Sequence, residues 1–187
     1  MSQDLPTTSY ALLGLLTLGD DLTGYELKQR ADNTLRFYWV SPAMSQVYSE
    51  LTRLTEWGMV RARDDETAPV RRTRRYQITA KGKRDLEAWL RRPSSEFPSL
   101  KHPVALRLLL GHLVAPQQTR ALLDDYAAAL AERRSQLQAV RDSLERGFGE
   151  EVDGYRFPRM VADWGLAYYA FERSMVTELI ERVERFE

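Results

Sequence analysis

Apolar residues in the first third of the chain recur at the spacing of helices and predict two short helices before residue 40. The first is the apolar run Tyr10–Leu18, for which Thr7 or Thr8 is available as an N-cap. The second begins after Thr23, which can cap it in the same way. The stripe of the second helix that should face the core consists of Tyr25, Leu27, Ala31 and Leu35.

A third helix follows, and its limits are marked by strong local signals. Ser41 and Pro42 form a start signal, with serine as the N-cap and proline at the first helical position. Gly58 marks its end. Its inward positions are Val47, Leu51 and Leu54.

The period of the pattern then changes from 3.6 to 2, which predicts two short strands. The segments GMVRARDDE and RRYQITAKG are joined by a polar stretch, and Tyr76 and Ile78 alternate with polar residues. Thr79 can cap a fourth helix, whose apolar edge is Leu86, Trp89 and Leu90. The predicted order is therefore three helices, a β-hairpin and one more helix.

A segment rich in proline and serine divides this region from the rest of the chain. We expect a first domain over residues 1–92, a linker over 93–103 and a helical domain over 104–187. The three helical segments predicted in the last part are Val104–Val114, Gln117–Arg146 and about Phe157–Phe186. The apolar positions of the two long segments form narrow seams, which are typical of helices that associate. The fold class is mainly α with a small β-hairpin.

Composition excludes several classes of function. The chain has 27 basic and 27 acidic residues and no cysteine, so it lacks disulfides and thiolate metal sites. Its two histidines fit no metal-binding spacing, and it has no phosphate-binding glycine loop and no nucleophile motif. We expect no catalytic residue, metal or cofactor, and no enzyme activity. No signal peptide or membrane-spanning run is apparent, which indicates a soluble cytoplasmic protein without a membrane partner.

Three helices followed by a hairpin form the plan of a winged helix-turn-helix domain, which binds double-stranded DNA. The third helix has the diameter to enter a major groove about 12 Å wide. Its polar residues outside the inward stripe are the candidates for contacts with bases and phosphates. Those candidates are Ser45, Gln46, Tyr48, Ser49 and Arg53. Tyr48 is at the edge of the stripe, so the sequence favours a DNA-facing role and a core role equally.

The hairpin carries a concentration of positive charge. Seven basic residues and no acidic residue lie between positions 68 and 84. The arginines at or near the tip of the wing are Arg71, Arg72, Arg74 and Arg75. Arginine binds phosphate with two hydrogen bonds, which holds DNA without reading its sequence. On charge alone, a solvated loop explains this segment equally well. Backbone N–H groups of Thr23–Tyr25 could also meet a phosphate, unless they only cap the second helix.

These segments resemble the PadR family of transcriptional regulators. The matching segments are YALLGLLTLGDDLTGYELKQR, SPAMSQVYSELTRLTEWGMV and RRYQITAKGKRDLEAWL. The remainder, from HPVALRLLLGHLV onwards, is similar to the helical C-terminal domain of the longer, virulence-activator-like members. The resemblance implies a homodimeric repressor that binds a palindromic operator and responds to a small aromatic ligand. A winged-helix adaptor that binds protein instead of DNA is the alternative.

Aromatic residues near the C-terminus leave a second question open. Trp164, Tyr168 and Phe171 lie in one predicted helix, within its apolar seam. They could line a pocket for an aromatic ligand at the dimer interface. Alternatively they only pack the two subunits together, which the sequence favours.

Overall fold

The computed structural model describes residues 5–19, 21–64, 73–93, 101–148 and 155–186. The chain divides into two compact units, Met1–Ser95 and Glu96–Glu187. The helices of the first unit are α1 (Thr7–Leu15), α2 (Gly24–Thr34), α3 (Met44–Glu56) and α4 (Ala80–Leu90). Its strands are β1 (Leu22–Thr23), β2 (Val60–Asp64) and β3 (Arg74–Ile78). The helices of the second unit are α5 (Pro103–Leu109), α6 (Pro116–Phe148) and α7 (Arg156–Glu184).

The core of the first unit lies between its four helices and its sheet. Helix α1 begins three residues earlier than predicted, with Pro6 at the N-cap, so neither threonine caps it. The ring of Tyr10 stacks on that of Trp89 in α4, with centroids 4.7 Å apart. The side chains that are fully buried in this core include Leu12, Leu13, Leu27, Val47, Leu51, Leu54 and Val60.

Helix α2 has the cap that its sequence predicts. The hydroxyl of Thr23 accepts from the backbone N–H of Glu26, and the Glu26 carboxylate accepts from the N–H of Thr23. Leu27 and Ala31 are buried as expected. Tyr25 is exposed, so its place in the inward stripe was predicted wrongly. At the second position of the helix its side chain points away from the core.

Helix α3 begins at Met44, so Ser41 is not its N-cap. The hydroxyl of Ser41 donates instead to the Asp32 carboxylate at 2.6 Å. The C-terminus agrees with the prediction. Gly58 has a φ of +67°, which favours glycine. Met59 N–H donates to the Leu54 carbonyl and Gly58 N–H donates to the Thr55 carbonyl, which together form a Schellman motif.

The sheet has three antiparallel strands in the order β1-β3-β2, one more than the predicted hairpin. Strands β2 and β3 form the wing, with Val60 opposite Ile78 and Asp64 opposite Arg74. The added strand β1 has two residues and precedes α2 directly. The hairpin of the wing is therefore joined to the start of α2.

In the second unit, α6 and α7 pack as an antiparallel pair. Arg120 near the start of α6 pairs with Glu184 at the end of α7, whereas Arg141 pairs with Asp163. The buried residues of α6 that face α7 lie seven residues apart, namely Leu123, Leu130 and Leu137. Those of α7 are Ala162, Gly165, Tyr169, Val176 and Val183. The two helices therefore meet along coiled-coil-like seams.

Candidate nucleic-acid interface

The exposed face of α3 contains the residues predicted to read DNA. Because Val47, Leu51 and Leu54 are fully buried, the helix is held in one orientation about its axis. Ser45, Gln46 and Ser49 are all exposed on its other side. A polar edge near the N-terminus of a helix is what a major-groove contact requires.

Gln46 is engaged in the first turn of α3. Its side-chain oxygen accepts from the backbone N–H of Ala43 at 2.9 Å. The side-chain amide nitrogen therefore points to solvent as a donor, which suits acceptors such as guanine O6 or N7. The hydroxyl of Ser49 donates to the Gln46 carbonyl at 3.0 Å.

Tyr48 lies where α3 meets the start of α2. The residue is 47% exposed, so it is not a core residue. A Cβ atom added to Gly24 would lie 2.6 Å from the Cε1 atom of Tyr48, closer than real contacts allow. Glycine at position 24 therefore permits the ring of Tyr48 to pack directly on the first turn of α2.

A groove with a volume of about 740 Å³ opens between α2, α3 and the strands of the wing. Its walls carry hydroxyl groups, aromatic rings and one arginine, alongside one carboxylate. The residues that line it are Thr23, Gly24, Tyr25, Tyr48, Asp64, Thr73, Arg74 and Tyr76. Burial raises the pKa of the Tyr76 hydroxyl, so this group stays protonated as a donor. We call this feature the wing groove.

The arginines of the wing differ in their surroundings. Arg71 and Arg72 lie outside the described residues. The Nε atom of Arg74 is 3.5 Å from an oxygen of Asp64, and the two side chains are 66% and 62% exposed. Arg75 donates from Nη1 to the carbonyl of Asp21 at 2.8 Å. The structure therefore ties Arg75 to the body of the domain and leaves Arg74 at the groove.

Arg53 is half-exposed and is bound to its own helix. Its Nη1 atom donates to the Glu50 carboxylate at 2.9 Å. Glu50 is buried and also accepts from the hydroxyl of the fully buried Ser9 in α1. This buried carboxylate was not predicted. Its position three residues after Val47 and four before Leu54, on the inward stripe, is the signal that could have found it.

The predicted C-terminal aromatics are on the surface of the single chain. Trp164 is 69% exposed and Phe171 is 64% exposed, and Tyr168 is exposed beside them. They belong to a longer exposed apolar stripe of α7, distinct from the seam that packs on α6. We call this the α7 outer stripe, and its residues are Phe157, Met160, Trp164, Tyr168, Phe171 and Met175.

A polar cluster that the sequence did not indicate joins α5, α6 and α7. The Nε2 atom of His102 lies 2.8 Å from the Glu172 carboxylate and 3.1 Å from the Tyr126 hydroxyl. The Nδ1 atom of His102 accepts from the backbone N–H of Ala105, which caps α5. In the tautomer that this cap requires, Nε2 carries the hydrogen and donates a hydrogen bond to Glu172. Burial, and then the negative charge of Glu172, raises the pKa of Tyr126.

Within the described residues, no three His, Asp or Glu side chains are grouped as metal ligands. The described helices also include none with the length and apolar character needed to span a bilayer.

Comparison with known proteins matches almost the whole chain to two families. Residues 12–88 match the Transcriptional regulator PadR-like family, and residues 100–184 match Virulence activator alpha C-term. These matches confirm the resemblance found in the sequence. The PadR-like family is one of transcriptional regulators and not of enzymes, in agreement with the expectation that the chain has no enzyme activity.

Individual relatives agree with this assignment. The Negative transcriptional regulator PadR of Bacillus subtilis (strain 168) is 29% identical over 137 residues, which are 73% of this chain and 72% of that protein. The crystal structure of Bacillus subtilis PadR in complex with operator DNA is similar, with a TM-score of 0.82 at 24% identity. That similarity covers 95% of this chain and 99% of that one.

A second structure of the same relative contains a small molecule. The complex of Bacillus subtilis PadR with p-coumaric acid has a TM-score of 0.75 at 23% identity, and covers 96% of this chain and 99% of that one. These similarities confirm the predicted fold class, a winged helix-turn-helix domain followed by a helical domain.

Proposed function

Because the chain belongs to the PadR-like family of transcriptional regulators, we propose that it binds a palindromic DNA operator as a homodimer and represses transcription. The observation that carries this proposal is the wing groove beside the exposed polar edge of α3. The polar edge of α3 would face the bases in the major groove of DNA. The wing groove would hold the adjacent phosphates.

All of the predicted DNA-binding residues except Arg75 contact DNA in this proposal. Ser45, Gln46 and Ser49 would face the base edges, because they are exposed at the start of α3. The remaining residues of the interface would contact the DNA backbone, and they are Tyr48, Arg53, Arg71, Arg72 and Arg74. The structure ties Arg75 to the domain itself.

The division of the chain supports separate roles for its two parts. We propose residues 1–92 as the DNA-binding domain, 93–103 as the linker and 104–187 as the dimerisation domain. The two compact units, which divide after Ser95, and the family matches that end at 88 and resume at 100 support this division.

The α7 outer stripe is the surface that we assign to the dimer. One face of α7 already packs on α6, so a second apolar face has no partner within the described part of the chain. A second copy of the chain would cover it, with Trp164, Tyr168 and Phe171 at its centre. Two-fold symmetry would then set the two α3 helices on half-sites about 34 Å apart, or a multiple of that distance.

A small aromatic ligand would relieve repression. The relative from Bacillus subtilis forms a complex with p-coumaric acid, which supports an aromatic effector for this chain too. The exposed aromatic rings of the α7 outer stripe offer such a ligand surfaces on which to stack. The repressor would act in the cytoplasm, because a regulator of transcription has to meet the DNA.

Selection from a pool of random duplexes tests the proposal. The wild-type protein should enrich a sequence with two-fold symmetry and bind it about a thousandfold more tightly than a random duplex. Affinity should fall steeply between about 50 and 200 mM salt, because phosphate contacts release counterions. A winged-helix adaptor without specific DNA binding would enrich no sequence, and that result would refute the proposal.

A further inference from the structure

We propose that Arg75 is a positioning residue, which fixes the wing against α2 so that its neighbour Arg74 can meet phosphate. The DNA-binding part of this inference rests on the proposed function. The guanidinium of Arg75 donates to the Asp21 carbonyl at 2.8 Å, and its Nη1 atom lies 3.7 Å from a carboxylate oxygen of Glu26. Both partners lie at the start of α2, whereas Arg75 belongs to the wing.

Glu26 connects this contact to the cap of α2. The carboxylate oxygen that faces Arg75 also accepts from the backbone N–H of Thr23 at 2.7 Å. The N–H of Glu26 in turn donates to the Thr23 hydroxyl at 3.1 Å. One carboxylate therefore closes the first turn of α2 and attracts the guanidinium of β3. The helix start and the wing strand are held as one unit.

The backbone contact between the same segments is short. Strand β1 pairs with β3 through two residue pairs, Leu22 with Tyr76 and Thr23 with Arg75. A ladder of this length leaves few backbone hydrogen bonds to fix the angle of the wing. The Arg75 side chain adds its own hydrogen bond and ion pair at this ladder. It therefore adds to the contacts that orient the wing groove.

Arg74 has the opposite character, although it is the next residue. Successive residues of a strand point to opposite faces, and Arg74 lines the wing groove while Arg75 reaches the start of α2. The ion pair of Arg74 with Asp64 is largely exposed, and such pairs contribute little stability. A DNA phosphate can therefore displace Asp64 from Arg74.

These roles predict opposite effects for two acidic residues near the DNA. If only charge mattered, neutralising either Glu26 or Asp64 would tighten DNA binding, because each repels phosphate. If Glu26 positions the wing through Arg75, its neutralisation loosens the wing and weakens binding. Asp64 has no part in that contact, so its neutralisation still tightens binding.

The experiment compares Glu26→Gln with the matched control Asp64→Asn in the full chain. Glutamine keeps an oxygen that can accept from Thr23 N–H, so the cap of α2 survives. The probes are a duplex selected by the wild-type protein from a random pool and a random duplex of equal length. We expect Glu26→Gln to bind the selected duplex about two- to fivefold more weakly, the range for a partly exposed ion pair. Asp64→Asn should bind both duplexes more tightly.

Two further variants separate positioning from phosphate contact. Arg75→Gln should weaken binding and leave the slope of log K against log salt unchanged. Arg74→Gln should flatten that slope by about 0.9, the value for one lost phosphate contact. A loss of stability alone would not give the two arginine variants different salt slopes. Equal flattening by both variants, or tighter binding by Glu26→Gln, would overturn the inference.

Hydrogen exchange tests the same contact without DNA. The backbone amides of β3 should exchange faster in Glu26→Gln and Arg75→Gln than in the wild type, and at the wild-type rate in Asp64→Asn. Unchanged exchange in the first two variants would refute the anchoring contact. A wild-type protein that selects no duplex would instead refute the proposed function, and the exchange rates would still decide whether Arg75 anchors the wing.

Discussion

Gly24 shows how one residue without a side chain shapes the proposed interface. We expect Gly24→Ala to displace the Tyr48 ring, because the new Cβ would lie 2.6 Å from Cε1. The free energy of unfolding should fall by about 1–3 kcal/mol, as for overpacked sites. DNA binding should also weaken, because Tyr48 lines the wing groove. Urea unfolding and fluorescence anisotropy with labelled DNA measure the two effects.

Gly14 offers the matched control for this substitution. It is also a helical glycine, but an added Cβ would meet no atom within 4 Å. Gly14→Ala should therefore leave the stability unchanged or raise it by up to about 1 kcal/mol, because alanine favours helix. If both variants were as stable as the wild type, the ring of Tyr48 would move aside at no cost, against our expectation.

Tyr126 makes the stability of the chain sensitive to alkaline pH. Its pKa is raised in the folded state, by burial first and then by Glu172. The unfolded chain therefore loses this proton at lower pH than the folded chain does. The stabilising contribution is fully present below about pH 10, the value for unfolded tyrosine, and is lost as the pH rises through the folded value.

Replacement of Tyr126 by phenylalanine tests this linkage. The free energy of unfolding of Tyr126→Phe should fall less steeply than that of the wild type above about pH 10. Between about pH 7 and 9, where tyrosine is protonated in both states, the two proteins should show parallel curves. Urea unfolding at a series of pH values provides the measurement. Parallel curves above pH 10 as well would contradict the assigned cause.

At the scale of elements, His102 connects the short helix α5 to the pair formed by α6 and α7. Its Nδ1 atom caps α5 and its Nε2 atom bonds Glu172 in α7. His102→Ala removes both contacts, so the amides of α5 should exchange about fivefold faster, as for the loss of an N-cap. His102→Asn should restore part of the protection, because asparagine also caps helices.

His112 provides the control for this effect. It is exposed in the turn Gly111–Leu113, close to α5 in the chain. His112→Ala should leave the exchange of the α5 amides at the wild-type rate. Equal acceleration by the two alanine variants would show that the protection of α5 does not depend on the cap.

The elements that the sequence predicted well are those determined by local signals. The stripe of Val47, Leu51 and Leu54 and the glycine stop at Gly58 are readable within α3, and both were confirmed. Strand β1 was missed because two residues carry no period, and it exists only through its pairing with β3. The start of α3 was misplaced because Ser41 bonds to Asp32, a tertiary contact that competes with capping.

The candidate site followed the same division between local and tertiary information. The exposed edge of α3 could be predicted, because helical spacing alone separates it from the core. The contacts of Arg75 with Asp21 and Glu26 could not, since their partner segments lie about fifty residues apart in the chain. The face of α7 that packs on α6 was also difficult to predict from the sequence. It includes the small residues Ala162 and Gly165, which carry a weak hydrophobic signal.

At the scale of the whole molecule, we expect tight DNA binding to require the dimer that we propose to form through the α7 outer stripe. We expect Phe171→Glu to give a monomer in light scattering, because it inserts a charge at the centre of the α7 outer stripe. The monomer should keep the helix content of the wild type, since Phe171 is 64% exposed and does not belong to the seam with α6.

Ser174→Glu is the matched control, on the same helix and three residues away. Ser174 is exposed and, at 100° per residue, lies outside both apolar faces of α7. This variant should remain a dimer and bind the selected duplex as the wild type does. The Phe171→Glu monomer should bind it far more weakly, because the second half-site is no longer held at the millimolar effective concentration that linkage provides. A Phe171→Glu protein that stayed dimeric would show that another surface joins the subunits.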